Sequence, residues 1–409
     1  MENYLLLFNY NLLIKIKGRN GMDNNLPKQF ESFTEARRNG FLAAKNIKDN
    51  GKKMVGVFCC FTPTELMLAA GAVPVGVCGV SEEPIKDAEK VLPRNLCPLI
   101  KSSYGHVITD TCPYFYFSDL LVGETTCDGK KKMYEELSKI KPMHVMQLPN
   151  RASGKNEFNL WKDEVILLKE VLEKELDVTI TDDDIKNSIK DKNEERKLLN
   201  EFYELAKLEP SALTSSELYN VSYQAQFKFD REELKSSLRK VIDDTKKRYE
   251  EGKCPVKKDA PRILVTGSPI GGCVKKIIGT LEESGASIVA YELCSSIRSN
   301  RELIDEDNPD IYEAIAKRYL NIGCACMMNN QKRIDLLDEL IDEYKIDGVI
   351  DVALQSCHPF NVESHKIKDF VVNKKHIDYM AIETDYSETD TEQLRTRFEA
   401  FIEMIEDKK

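Results

Sequence analysis

Apolar positions along the chain change their period three times. Met54-Val-Gly-Val-Phe58 is a short, almost unbroken apolar run, the pattern of a strand covered on both faces. Val73 to Val77, Tyr116 to Val122 and His144 to Gln147 repeat it. Helical spacing lies between these runs, over Leu66 to Ala70 and through Met133 and Leu137. Upstream, Phe30, Phe33, Ala36, Gly40, Phe41 and Ala44 mark one face of a helix over 30–50. Thr62-Pro-Thr-Glu65 predicts a capping box with proline at the first helical position.

From about 156 to 261 the period is helical throughout. Trp161, Val165, Leu168, Val171 and Leu172 share a face, and charged residues fill the others. Val178-Thr-Ile-Thr181 reads as the lead-in to a further helix, with Thr181 as its N-cap. At Arg262 the strand pattern returns, over Ile263 to Thr266, Ser287 to Glu292, Gly348 to Leu354 and Tyr379 to Glu383. Helices are expected over Cys273 to Ser284, Ile311 to Tyr319, Gln331 to Tyr344 and Thr391 to Glu406. Strand–helix alternation on both sides of a helical stretch predicts an α/β protein. Two doubly wound (flavodoxin/Rossmann-like) parallel-sheet domains, 30–155 and 262–409, flank a helical linker domain, 156–261. Residues 1–29 form an N-terminal extension, and Met22 is an alternative start.

With 409 residues, the chain is long enough for two or three domains. Its net charge of −10 argues against a nucleic-acid partner. No apolar run reaches membrane-spanning length, and the first residues lack the basic start of a signal peptide, so a cytoplasmic protein is expected.

Twelve cysteines need an explanation, because a chain of this kind has no need of disulfides. Any one of them alone reads best as a small buried hydrophobe. Their placement argues otherwise. Cys59 and Cys60, Cys127, Cys294 and Cys357 each follow a predicted strand, where open parallel sheets collect their functional groups. Cys59/Cys60, Cys97 and Cys127, then Cys294, Cys324/Cys326 and Cys357, recur at about the length of a βαβ unit. Two such units facing each other would gather about six thiolates. No Cys-x-x-Cys pair occurs, which argues against zinc ribbons and ferredoxin runs. Widely separated thiolates from two domains suit an iron–sulfur cluster in the cleft between them. The helix after Thr62 is expected to aim its positive end at that cleft. There is no Walker A motif, so ATP hydrolysis is not expected of this chain. Thr266-Gly-Ser-Pro-Ile-Gly-Gly272 reads as a tight strand-to-helix turn.

Several long motifs resemble the 2-hydroxyacyl-CoA dehydratase / benzoyl-CoA reductase superfamily. They are Cys59 to Pro74, Leu92 to Gly105, Gly123 to Lys132, Ile382 to Ser387 and Gln393 to Phe401. Within it the chain looks most similar to double-cubane cluster proteins, through Cys59-Cys60, Tyr-Glu-Leu-Cys294, Cys324-Ala-Cys326 and Gln-Ser-Cys357-His. The resemblance implies an oxygen-sensitive [8Fe–9S] double cubane in a homodimeric reductase of small molecules. Its ligands would be one of Cys59 and Cys60, Cys97, Cys127, Cys294, one of Cys324 and Cys326, and Cys357. The alternative is a [4Fe–4S] subunit of a heterodimeric dehydratase, a lyase that works through a ketyl radical on an acyl-CoA. Either implies a separate ATP-hydrolysing iron–sulfur activator as electron donor. Ser268 departs from the pattern, since relatives often carry cysteine there.

The remaining candidates divide between function and structure. Cys78, Cys254, Cys112 and Cys273 read as structural. His358, beside Cys357, is a proton donor or a satisfied loop residue. Arg395 and Arg397 are an anion site or a solvated helix face. Asp385, Ser387 and Asp390 are a metal site or, more in keeping with Thr-Asp-Tyr-Ser, a turn and helix cap.

Overall fold

A computed structural model describes residues 44–408. The extension 1–29 and most of the helix expected over 30–50 lie outside the described residues; 44–49 are helical. Two four-stranded sheets, parallel throughout, organise the rest. The first contains β1 (Met54–Val57), β2 (Val73–Gly76), β3 (Leu120–Glu124) and β4 (Met143–Met146) in the order β2-β1-β3-β4. The second contains β5 (Arg262–Gly267), β6 (Ser287–Glu292), β7 (Gly348–Leu354) and β8 (Asp378–Thr384) in the order β6-β5-β7-β8. The sheets share one topology. In each, the chain steps outward once, then crosses to the other side of the first strand, leaving a switch point between β1 and β3 and between β5 and β7.

The helices that cover and connect these sheets include α1 (Thr64–Ala69), α2 (Pro98–Ile108), α3 (Asp128–Leu137), α4 (Lys155–Leu176), α5 (Asp182–Glu204), α6 (Ser215–Ala225), α7 (Arg231–Glu250), α8 (Ile311–Leu320), α9 (Gln331–Glu343), α10 (His358–Asp369) and α11 (Thr391–Glu406). The central helices bridge the sheets. α4 packs on α1 of the first unit and α8 of the second, and α5 packs on α1 and α7. Each apolar core accordingly draws from both units. One joins Leu121 and Tyr134 to Phe202 and Leu264; the other joins Val55 and Trp161 to Ile315.

A buried polar junction pins this arrangement. Arg196 of α5 donates to Glu65 of α1, and the Tyr319 hydroxyl of α8 donates to the same carboxylate at 2.7 Å. Burial works to raise the Glu65 carboxyl, but Arg196, Arg318 and Lys192 hold it below its usual range.

Local signals succeed where the partner is a few residues away. Thr181 caps α5 in a reciprocal box with Asp184. The box expected at Thr62 is absent. The Thr62 hydroxyl donates to buried Glu124 instead, Glu65 is held by Arg196, and α1 starts after Pro63 without a side-chain cap. Tyr116 also falls outside a strand: Pro113–Phe117 is a helical turn, and β3 begins at Leu120. The glycine-rich segment after β5 is a turn. Gly267 has φ +119°, and a Cβ there would lie 2.0 Å from the Val352 carbonyl oxygen. A Cβ on Gly271 would lie 2.7 Å from Val80 of the first unit, so the loop is built for close approach of the two halves.

Candidate functional site

The carboxyl ends of both sheets carry cysteines to a common region. Cys59 and Cys60 follow β1, Cys294 follows β6, and Cys324 and Cys326 follow α8. Three others occupy helix N-caps: Cys97 on α2, Cys127 on α3 and Cys357 on α10. Proline at Pro98 and Pro359 sets two of these starts. Each N-cap sulfur faces the free amides of its own first turn: Leu99 and Ile100 for Cys97, Gly129 and Lys130 for Cys127, Phe360 for Cys357. Amides and the helix dipole favour negative charge on all three sulfurs.

The eight cysteines fall into two groups. Cys97 is hydrogen-bonded to Cys357, with Cys127 close to Cys357. The Cys97–Cys357 bond joins the first unit to the second. Ser268, at the end of β5, hydrogen-bonds Cys357 and accepts from the Leu354 amide at 3.2 Å. It therefore sits inside this group, at the switch point of the second sheet. The other group contains Cys59, Cys60, Cys294, Cys324 and Cys326, in which Cys60 bonds to Cys59 and to Cys294, and Cys324 to Cys326. The Cys60–Cys294 bond again crosses between units.

In three of these pairs one sulfur is eased toward thiolate. A hydrogen bond from Cys60, helped by Arg298 and Lys130, brings Cys294 down to about 6 against its burial. A hydrogen bond from Cys97 brings Cys357 down to about 7. Cys324 is lowered by Cys326 in the same way. The donor thiols Cys60, Cys97 and Cys326 are raised correspondingly.

Cationic residues that the sequence did not single out serve both groups. The Arg298 Nη1 lies 3.5 Å from the Cys294 sulfur. Its guanidinium is fixed on Glu292, the last residue of β6, with Nη2 at 2.6 Å from Oε2. Arg333 of α9 reaches the same carboxylate at 3.2 Å. Lys130, in the first turn of α3, donates to the Phe58 carbonyl oxygen at 2.8 Å. Glu124 at the end of β3 is wholly buried, and one of its oxygens has no hydrogen-bond partner. A cavity of about 320 Å³ opens beside Cys59, Cys60 and Cys294, walled by Tyr219, Tyr223 and Phe227.

The other candidates take structural places. Cys112 caps the Pro113–Phe117 turn, Cys254 donates to the Ser211 carbonyl and Cys273 to the Asp385 carbonyl. Cys78 donates to the Phe58 carbonyl at 3.1 Å, on the cavity wall. His358 begins α10 and is exposed. Arg395 pairs with Glu283, and Arg397 donates to the Ala381 carbonyl. Asp390 is held by Lys276 at 2.7 Å and Thr384 at 2.6 Å, and Asp385 by Ser387 at 2.7 Å, a turn and not a cation site.

The donor set tests what this region can hold. Among the described residues, no three His, Cys, Asp or Glu side chains close on a point where one metal ion would sit. A multi-iron cluster makes a different demand, since it holds each thiolate on a separate iron and spreads them. Soft sulfur donors, amides at three helix N-termini and two nearby cations fit an anionic cluster of that kind. Among the described residues no helix is long and apolar enough to cross a membrane.

Comparison with known proteins agrees with the motifs. The profile of the family described as "2-hydroxyglutaryl-CoA dehydratase, D-component" matches residues 59–405. The chain is 48% identical over 381 residues to a protein of Escherichia coli K12 provisionally named as dehydratase subunit YjiM, covering 93% of this chain and 99% of that one. It is 28% identical to the (R)-phenyllactyl-CoA dehydratase beta subunit of Clostridium sporogenes, over 88% of this chain and 94% of the relative. With a benzoyl-CoA reductase subunit of Thauera aromatica the identity is 24%, over 88% of this chain and 91% of the relative.

Proposed function

The chain belongs to the 2-hydroxyglutaryl-CoA dehydratase D-component family, and from that premise we propose that it is an iron–sulfur reductase of the double-cubane type. The observation that carries the reading is the gathering of eight thiols, in two groups, from the loops and helix starts of two parallel-sheet units. Cys97, Cys127 and Cys357 would hold one half of an [8Fe–9S] cluster. One of Cys59 and Cys60, Cys294, and one of Cys324 and Cys326 would hold the other. When bound, such a cluster supplies single electrons at low potential.

The chain's own residues prepare and protect that site. Helix amides at Cys97, Cys127 and Cys357 favour negative charge on the sulfurs, against the burial that raises Cys97 and Cys127. Glu292 and Arg333 fix Arg298 against Cys294. Tyr219, Tyr223 and Phe227 wall the cavity beside the second group, leaving room for a small molecule. The resemblance implies that electrons come from a separate ATP-hydrolysing iron–sulfur activator, and the lack of a Walker A motif in the sequence agrees with that division of labour. The working form is a homodimer in the cytoplasm.

A second reading, a [4Fe–4S] dehydratase subunit paired with a different chain, is favoured by the two relatives named as dehydratase subunits. One assay separates the two. The anaerobically loaded chain is mixed with a reducing activator and ATP, then offered small reducible molecules or 2-hydroxyacyl-CoA thioesters. The reductase reading predicts electrons consumed in proportion to a reduced product, with no turnover of the thioesters. Loss of water from a thioester without net electron consumption overturns it in favour of the dehydratase.

A further inference from the structure

Three consecutive lysines open α3, and they are used differently. Lys131 pairs with Asp128 at 2.7 Å and Lys132 with Glu135 at 2.8 Å, both at the surface. Lys130 turns inward to the Phe58 carbonyl at 2.8 Å and pairs with no carboxylate among the described residues. A lysine in the first turn of a helix stands at the wrong end of the dipole, and enclosing a cation without an anion is costly. Something else must compensate it.

The ammonium lies in the field of the Tyr134 hydroxyl and of several sulfurs. Cys127 and Cys357 of one group act on it, as do Cys59, Cys294 and Cys326 of the other. Cys78 and the Tyr134 hydroxyl complete the surroundings. Glu124, which feels the Lys130 charge, forms no ion pair with it, and burial holds its carboxyl up to about 7. Arg298 differs from Lys130 in both respects, because it is neutralised by Glu292 and touches the second group alone.

We infer that Lys130 is a positioning residue, the internal countercharge that both thiol groups share, and that its positive charge sets how readily the site between them accepts an electron. The inference rests on the reading that these thiols hold a cluster. A fixed cation favours the more negative, reduced state, so removing it lowers the reduction potential.

The test uses the full chain, loaded anaerobically, as parent, Lys130→Met, Lys130→Arg and the neighbouring Lys131→Met. Iron and acid-labile sulfide per chain are measured first, then the midpoint potential by titration. Lys130→Met is expected to retain iron and to show a reduction equilibrium at least about tenfold less favourable, ~59 mV for a one-electron step. Lys130→Arg and Lys131→Met are expected to stay close to the parent. Should Lys130→Met fail to load while Lys130→Arg loads normally, the requirement for charge is equally supported. A parental potential in Lys130→Met overturns the inference. So does equal displacement, or equal failure to load, in Lys130→Met and Lys130→Arg, which would assign the residue to packing against Phe58. Absence of iron from the parent chain defeats the cluster reading itself and is seen before any variant is compared.

Discussion

At the scale of single residues, two of the sulfur pairs at the site take their partners from different units. Cys97 with Cys357, and Cys60 with Cys294, join positions about 230 to 260 residues apart in the chain, and local pattern carries no record of such pairing. What the sequence did carry was position. Six of the eight cysteines stand just past a strand or at a helix start, and Cys97-Pro98 and Cys357-His-Pro359 already contain the proline signal of an N-cap. Lys130 was hidden because a run of three lysines looks like a solvated face; only the fold turns one of them inward. Replacing Cys97, Cys127 or Cys357 by serine is expected to lower iron per chain by roughly half or more. Cys254→Ser and Cys112→Ser, whose sulfurs bond backbone groups outside the two thiol groups, are expected to leave it unchanged. Equal losses at all five positions would refute the assignment.

Glu124 gives a prediction in pH. Burial raises its carboxyl from 4.5 to about 7, opposed by the Thr62 hydroxyl and by Lys130. Between those values the folded chain holds a proton that the unfolded chain has released. The stabilising contribution is therefore full below 4.5 and lost as pH rises to about 7. Over that window the loss is about 3 kcal/mol. In the cluster-free protein, Glu124→Gln should remove this decline, so denaturant midpoints of the variant should gain on the parent between about pH 5 and about pH 7.5. Parallel pH profiles would contradict the argument.

At the scale of elements, sequence located most strands and helices and misjudged some of their ends. Ser287–Glu292, Gly348–Leu354 and Thr391–Glu406 stand where the apolar pattern placed them, because each presents an unbroken buried run or a clean helical stripe. Thr62-Pro-Thr-Glu65 misled because both its polar groups have long-range partners, and buried polar atoms follow the strongest partner available. Those partners matter more to the fold than a cap. Glu65 on α1 is held by Arg196 on α5 and Tyr319 on α8, so three elements from three parts of the chain meet on one buried carboxylate. Removing Arg196 strands that charge. Arg196→Leu is expected to cost about 3–5 kcal/mol of stability, read from the urea midpoint. A loss below about 1 kcal/mol would mean that the junction contributes little.

At the scale of the whole molecule, two sheets share one topology, and residues that follow their strands meet in one region. β1 and β3 deliver Cys59, Cys60 and Cys127; β5 and β7 deliver Ser268 and Cys357. The alternation of strands and helices made this architecture legible. How the two units close on each other was not legible, because it depends on α4 and α5 packing across both and on Gly271 admitting Val80. The central claim is that closure brings two groups of thiols together around one cluster. The most direct test is iron and acid-labile sulfide per chain, measured on full-length protein purified without oxygen. The account predicts about eight irons and about nine sulfides per chain; about four irons or fewer would contradict the claim that both groups hold the cluster together.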